Sequence, residues 1–554
     1  MSSSAAVATK GATVLGHSWR APLFLALAAG LLYSLNLGHL PHPDELHHAL
    51  AARGLLDQGV PAIAEGVYYR GLLHTYLVAG SYALFGDSLA SARIPSVVCM
   101  ALVAALLFVW LRRESSNLAA WLGAGGFAIS PFAIDIAQFA RFYAPQCLSF
   151  LLAACLTYAA VSGRHTLRAR AFLAVGAAPA ALLALYLQPT TLIGLVGLAI
   201  WAAGVLGLPW LTDRNVPRGR KLMVVGIALV GLGAVLLAGI SLGLWDIFRS
   251  TPLFNQKSED RFWYYHAFYS LFYPSLWPLT GILGLAAIVA WPRPALFALV
   301  TFAVSFLLNS MAASKSLRYI VYAQPLLFMV WGMGLAALWP ALWSFLDGLR
   351  ARLAPPLAAL GLRRPAIGGV LVMGAALFLV AGNPAWLRSV SLLANITVPP
   401  EQPPPNWPLV APELEPWLAR VDVVVTTEEL ATLYFLGRYD IRFSPSKMEE
   451  LKPDQQYEFG LDFRTGRPVI STRESLARVL ACYPSGVILG PSASWGSPTL
   501  LNPELVRLIE AETRRIELPG FSGFVPTRFG NCSSSTHVGG TRTILSPDFL
   551  RSLL

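Results

Sequence analysis

Apolar residues along this chain fall in long blocks, not at the spacing of a surface helix or a half-buried strand. A helix needs about 20 apolar residues to cross a bilayer, and about eleven blocks of suitable length are present. They run near 20–38, 91–111, 117–133, 145–161, 171–187, 190–209, 221–244, 270–290, 295–311, 319–343 and 367–382. The pattern predicts an α-helical polytopic membrane protein. It changes over 39–90, which is long for a connector, and connectors of that size usually carry function. There, 44–58 reads as a charged amphipathic helix stopped by Gly59 and Pro61. The stretch 71–85 is apolar and aromatic, suited to lying in the headgroup region. Two interfacial helices are therefore expected in the first outer loop.

Beyond the last block the pattern shortens. A Pro-rich segment covers 398–408, and strand-like runs at 422–426, 439–443 and 487–489 alternate with helical ones at 428–436, 473–481 and 503–514. Such alternation predicts a small α/β domain. The expected division is a transmembrane catalytic domain over 1–382, a linker over 383–410 and an extracytoplasmic α/β domain over 411–554. Neither G-x-G-x-x-G nor a P-loop occurs in the last part, so no nucleotide site is expected. An aromatic loop over 245–269 reads either as an interfacial belt or as a wall for sugar or lipid.

Composition agrees with the pattern: 55% of the 554 residues are hydrophobic and 13% charged, where a soluble domain has roughly a quarter charged. The net charge of +11 is a topology signal and not a nucleic-acid footprint. With the N-terminus cytoplasmic, roughly sixteen basic residues fall inside against about nine outside. Acidic residues such as Asp44, Glu45, Asp87 and Asp135 fall outside. No small-residue cleavage site follows the first block, so it reads as a retained anchor. Eleven spans then leave the C-terminal domain on the outer face, and the Ala- and Arg-rich composition points to a bacterial inner membrane. Cys482 and Cys532 fall in the outer domain and are candidates to pair in an oxidising compartment.

Three clusters carry candidate chemistry. Asp44-Glu45 follows the first block, and adjacent carboxylates beside hydrocarbon are costly to hold. A carboxylate suits the base that takes a hydroxyl proton during glycosyl transfer; complementing a helix dipole after Pro43 is the structural alternative. Asp135, Gln138 and Arg141 share one face at spacings of three if that segment is helical, beside Tyr143. Arg141 is suited to bidentate phosphate binding or to interfacial snorkelling. Lys315, Arg318 and Tyr319 place two cations on the outer side, against the positive-inside trend, which favours an anionic ligand; anchoring is again the alternative. His48, His74 and His266 are candidate ligands for a divalent metal, although arginine alone can neutralise a phosphate, and no cofactor is expected.

The chain resembles the GT-C superfamily of polyprenyl-phosphate-sugar glycosyltransferases, in particular the protein O-mannosyltransferases and lipid A aminoarabinose transferases. The resemblance rests on Pro43-Asp44-Glu45, Tyr69-Arg70 with His74 and Tyr76, Leu84-Phe85-Gly86, Ala92-Arg93 with Pro95-Ser96, Gln138-Phe139-Ala140-Arg141-Phe142-Tyr143 and Arg318-Tyr319. It implies a lipid-linked donor, an outward-facing site and inversion at the anomeric carbon. It further implies Asp44 as base with Glu45 in support, and Asp135 as a second acid. Arg141, Lys315 and Arg318 would hold the donor phosphate, helped by Arg70, with Tyr143 and Tyr319 beside them. Where the aminoarabinose branch carries an acidic-basic pair followed by prolines, this chain has Tyr69-Arg70-Gly71, a departure that argues against that particular substrate and its metal site. The expected activity is transfer of a sugar to a hydroxyl on lipid, glycan or protein; the expected partners are the lipid-linked donor, that acceptor and membrane lipids, with no nucleic acid. A transporter or flippase of an anionic or lipid-linked saccharide is the alternative, but transporter charges cluster at mid-membrane. A non-catalytic assembly subunit would need no acid and cation clusters.

Overall fold

The apolar blocks become helices because a backbone in hydrocarbon must satisfy its own hydrogen bonds. The computed structural model describes residues 19–162, 165–223, 226, 237, 262–312, 315–359, 384–396, 405–451, 458–483, 485–497, 500–518 and 521–526. Among them six helices are long and apolar enough to cross a membrane, or seven if one bent pair counts as a single span. They are Leu89–Glu114, Tyr143–Val161, Leu167–Leu187, Thr191–Thr212, Pro292–Met311 and Leu317–Phe345, the bent pair being Asn117–Ala128 with Pro131–Ala137, at 56°. The blocks near 221–244 and 367–382 lie almost entirely outside the described residues, as does 245–261 of the aromatic loop.

Three blocks differ from expectation. The first gives only the 14-residue helix Arg20–Tyr33. The block near 270–290 gives two helices, Tyr264–Phe272 and Thr280–Ala290, because Pro274 and Pro278 remove backbone donors between them. The block near 117–133 is interrupted by a π-helical turn, Trp121–Gly125, and by Pro131. That turn lets two backbones approach: a Cβ on Gly332 would meet Gly123 Cα at 2.7 Å, so small residues at this crossing allow close helix packing.

The chain packs as two units that do not follow chain order. One comprises 1–36, 96–138 and 142–398; the other 37–95, 139–141 and 399–554. The second unit thus joins the first-loop helices to the C-terminal α/β lobe. The two helices expected in the first loop are present, as Pro43–Gln58 and Leu72–Phe85. The first opens with a capping box: His42 Nδ1 accepts the Asp44 N–H at 3.1 Å, and Glu45 Oε1 accepts the His42 N–H at 2.9 Å. Ala49, Ala52, Val78, Ala79 and Tyr82 pack the two helices together.

The lobe holds a seven-stranded mixed sheet among the described residues. Its order is Gly460–Asp462, Arg467–Ile470, Ile441–Phe443, Val423–Thr426, Gly486–Pro491, Phe521–Pro526, Thr513–Leu518. The central four strands are parallel, with Val425 opposite both Ile441 and Ile488. Alternation along Val423–Thr426 sends side chains to opposite faces. Val424 joins a core with Leu46, Ile63, Tyr68, Trp407 and Val410; Val423 and Val425 join Leu476, Val479, Leu505 and Ile509. First-loop residues thereby cover one face of the sheet. Several elements were not expected, among them the helices Trp407–Leu418 and Pro445–Leu451 and the hairpin Gly460–Asp462/Arg467–Ile470. The segment expected as a helix to 514 leaves the helix at Glu512 and enters the strand Thr513–Leu518. Of the Pro-rich linker, 397–404 lies outside the described residues, as does Cys532 of the expected disulfide.

Candidate active site

Within the second unit, the start of helix Pro43–Gln58, the turn 65–70, Arg141 and the lobe residues Lys447, Glu450, Phe463 and Arg464 line a cavity of about 620 Å³. Asp44 and Arg70, both expected from sequence, stand in its wall. The Asp44 side chain is 35% exposed. Its backbone carbonyl accepts from Arg141 Nη1 at 2.9 Å and lies 3.3 Å from His47 Nδ1. Arg141, 4% exposed, also donates to the Tyr68 hydroxyl at 3.1 Å. The cavity therefore gathers the half-buried Asp44 carboxylate and the exposed carboxylates of Glu65 and Glu450 with Arg70, Arg141, Lys447 and Arg464.

Glu45 behaves differently from its neighbour. It is 2% exposed and holds Arg93, itself fully buried, through two 2.8 Å bonds from Nε and Nη2. Its oxygens also accept the backbone N–H groups of His42 and Ala140, each at 2.9 Å. Burial pushes this carboxyl up, but the Arg93 charge and the hydrogen bonds outweigh it, and the group sits below the usual carboxylate range. Arg93 in turn donates to the carbonyls of Leu37 and His39 at 2.6 and 2.9 Å. An acid so engaged ties His42, Arg93 and Ala140 together.

His47, 6% exposed, stacks on Tyr68 at 4.9 Å between ring centroids, and its Nε2 accepts from Arg464 Nη1 at 3.0 Å. Burial first, then the Arg141 and Arg464 cations, lower its pKa to about 3, so it is neutral at physiological pH. His48 bonds the Thr75 hydroxyl at 2.9 Å and meets His74 edge to face at 4.8 Å. Burial likewise lowers both. Among the described residues no group of three or more His, Cys, Asp or Glu is placed to hold a metal ion.

Arg464 is fixed by Asp462, whose Oδ2 lies 2.7 Å from Nη2 and whose Oδ1 lies 3.0 Å from Nε. Arg442 bridges Asp462 and Glu429 at 3.1 and 2.8 Å. Lys447 pairs with Glu450 at 2.9 Å and stands 5.1 Å from the Phe463 ring centroid. These lobe residues escaped sequence reading: about 400 residues separate them from Asp44, and no local spacing announces a tertiary contact.

The second expected cluster is divided. Helix Pro131–Ala137 ends before Gln138, and the next begins at Tyr143, so Asp135, Gln138 and Arg141 share no helical face. Asp135 is exposed on the first helix, while Gln138 donates to the carbonyls of Tyr33 and Leu35 at 3.1 and 2.6 Å. Asp135 and Tyr143 belong to the membrane-helix unit, Arg141 to the other. The third cluster, also in the membrane-helix unit, is half-buried: Lys315 bonds the Ala312 carbonyl at 2.7 Å, and the Arg318 guanidinium stands 5.9 Å from the Tyr143 ring centroid; Tyr319 adjoins it in the same 3-10 turn. His266, of that unit, accepts from Trp277 Nε1 at 3.1 Å.

The chain is similar in fold to solved structures. Its likeness is to the crystal structure of ArnT from Cupriavidus metallidurans bound to undecaprenyl phosphate, with a TM-score of 0.59, 16% identity, and coverage of 91% of this chain and 97% of that one. The apo structure of the same protein matches equally. Archaeal oligosaccharyltransferase AglB from Archaeoglobus fulgidus, with an inhibitory peptide and a dolichol-phosphate, matches with a TM-score of 0.47 and 14% identity, over 91% of this chain and 74% of that one. At 16% identity the likeness to the first two structures is one of fold. No family model and no curated protein matches the sequence.

Proposed function

We propose that the protein is an inverting glycosyltransferase that moves a sugar from a polyprenyl-phosphate donor to a hydroxyl acceptor at the outer face of a bacterial inner membrane. The observation that carries this reading is the half-buried Asp44 carboxylate in one cavity with Arg70, Arg141, Lys447 and Arg464. Asp44 takes the acceptor's hydroxyl proton as its oxygen bonds the anomeric carbon from the face opposite the leaving group. The bond from that carbon to the phosphate oxygen breaks, and its electron pair leaves on the polyprenyl phosphate. Arg70 and Arg141 stabilise that charge from the same cavity, while the Arg464 guanidinium is engaged by Asp462, and no cofactor is called upon. That the fold neighbour was solved with undecaprenyl phosphate supports a lipid-linked donor. Glu45 acts by holding the loop, not as a second base.

In this reading the chain crosses the membrane several times, the N-terminus is cytoplasmic, and the α/β lobe is extracytoplasmic. From the membrane-helix unit, Asp135, Tyr143, Lys315, Arg318 and Tyr319 are separate proposals as contacts of the donor headgroup and phosphate. The test is Asp44→Asn in membranes supplied with a labelled polyprenyl-phosphate sugar. Loss of a general base lowers transfer by about 100-fold or more; full transfer by the variant overturns the reading.

A further inference from the structure

The proposed base stands at the end of a hydrogen-bonded relay that starts in the C-terminal lobe. We infer that Arg464 is a positioning residue for Asp44, acting through His47, so that the lobe completes the active site. This rests on the role proposed above for Asp44. The contacts run in one direction. Asp462 grips Arg464 through both carboxylate oxygens, and Asp462 is itself fully buried and tied through Arg442 to Glu429. Arg464 Nη1 donates to His47 Nε2 at 3.0 Å. An imidazole that accepts at Nε2 and is neutral carries its proton on Nδ1. That N–H faces the Asp44 carbonyl at 3.3 Å.

The Asp44 backbone therefore faces two donors, His47 and Arg141, at the first turn of helix Pro43–Gln58. This matters for catalysis because Asp44 stands in the first turn of the helix with its carboxylate in the cavity wall, and that carboxylate must keep one place there. A carboxylate that must meet a hydroxyl proton within hydrogen-bond reach loses rate steeply when it is displaced by about 1 Å. His47 is kept from turning by its stack on Tyr68, and Tyr68 is bonded to Arg141, so both donors brace one another. The glycine contact between Gly66 and the Arg464 backbone brings the hairpin close enough for the relay to form: a Cβ on Gly66 would meet the Arg464 carbonyl carbon at 2.5 Å.

The experiment is a cycle of Arg464→Met and His47→Ala, with Arg464→Gln as the conservative arm, read as transfer from a labelled polyprenyl-phosphate sugar in native membranes. Arg464→Met is expected to lower kcat by about 10-fold with donor KM within about twofold, the pattern of lost positioning. In the His47→Ala background the same substitution lowers kcat by less than about twofold, because the relay is already broken. Gln keeps an N–H donor and recovers part of the rate. Equal slowing in both backgrounds, a change confined to KM, or no difference between Gln and Met overturns the inference. If Met-substituted protein does not accumulate, the Gln arm alone decides: a Gln variant as slow in the His47→Ala background as it makes the wild type overturns it. Asp44→Asn separates the two ideas. Full transfer by that variant defeats the base assignment, whereas an inactive Asp44→Asn with additive Arg464 and His47 effects defeats only the relay.

Discussion

Asp44 and Glu45 are neighbours in sequence with opposite fates, and the reason is angular. Successive residues on a helix point about 100° apart, so one faces the cavity while the other turns into the protein toward Arg93. The same turn of helix buries His47 and His48. Unfolded, each imidazole titrates near 6.5; folded, His47 and His74 are held down to about 3, by burial first and then by neighbouring cations. Between those values the unfolded chain binds more protons than the folded one, so stability falls as pH falls. The unfolding midpoint of the purified protein in detergent should drop between pH 7 and pH 5. Each such histidine costs the folded state up to about 2 kcal/mol at pH 5 relative to neutral pH. His47→Gln and His74→Gln should flatten that slope, and an unchanged slope would show that these imidazoles are not what titrates.

Elements in this loop are held by one buried ion pair. Arg93, near the start of helix Leu89–Glu114, reaches Glu45 on another helix and the carbonyls of Leu37 and His39, while Glu45 reaches Ala140. Three stretches far apart in sequence, 37–45, the start of helix Leu89–Glu114 and Ala140, thus meet on two side chains. Removing one partner leaves the other charged and buried, which costs about 3–5 kcal/mol. Arg93→Met should therefore unfold the loop, seen as a lower unfolding midpoint and faster proteolysis within 37–95; a stability loss under about 1 kcal/mol would contradict that role. The helices Pro43–Gln58 and Leu72–Phe85 were readable from sequence because Pro43 and Gly59 bound the first and Gly86 ends the second. The break after Ala137 was not, since Gln138 and Arg141 continue a helix-like spacing. Tertiary bonds from Gln138 to the Tyr33 and Leu35 carbonyls accompany that break.

At the scale of the molecule, the first loop and the C-terminal lobe form one packing unit. Glu65 N–H bonds the Thr465 carbonyl at 3.1 Å, Arg467 holds Glu65 through bonds of 2.7 and 2.9 Å, and Gly66 lies against the Arg464 backbone. Gly466, at φ 69°, supplies the left-handed turn of the hairpin. A side chain at Gly66 would have to displace backbone, and overpacking of this kind costs about 1–3 kcal/mol. Gly66→Ala should lower both the unfolding midpoint and transfer, because it separates two walls of the cavity; unchanged transfer would show that the close approach is dispensable. The apolar blocks by themselves determined a helical membrane protein, since hydrocarbon leaves the backbone few other conformations, and the carboxylate pair after the first block marked the candidate base. Only tertiary structure decided that Glu45 is a clamp, that Arg141 leaves its helix, and that Lys447 and Arg464 enter the cavity. Those outcomes depend on which side chains meet across hundreds of residues, and local spacing reports only the neighbours a residue has along its own helix or strand.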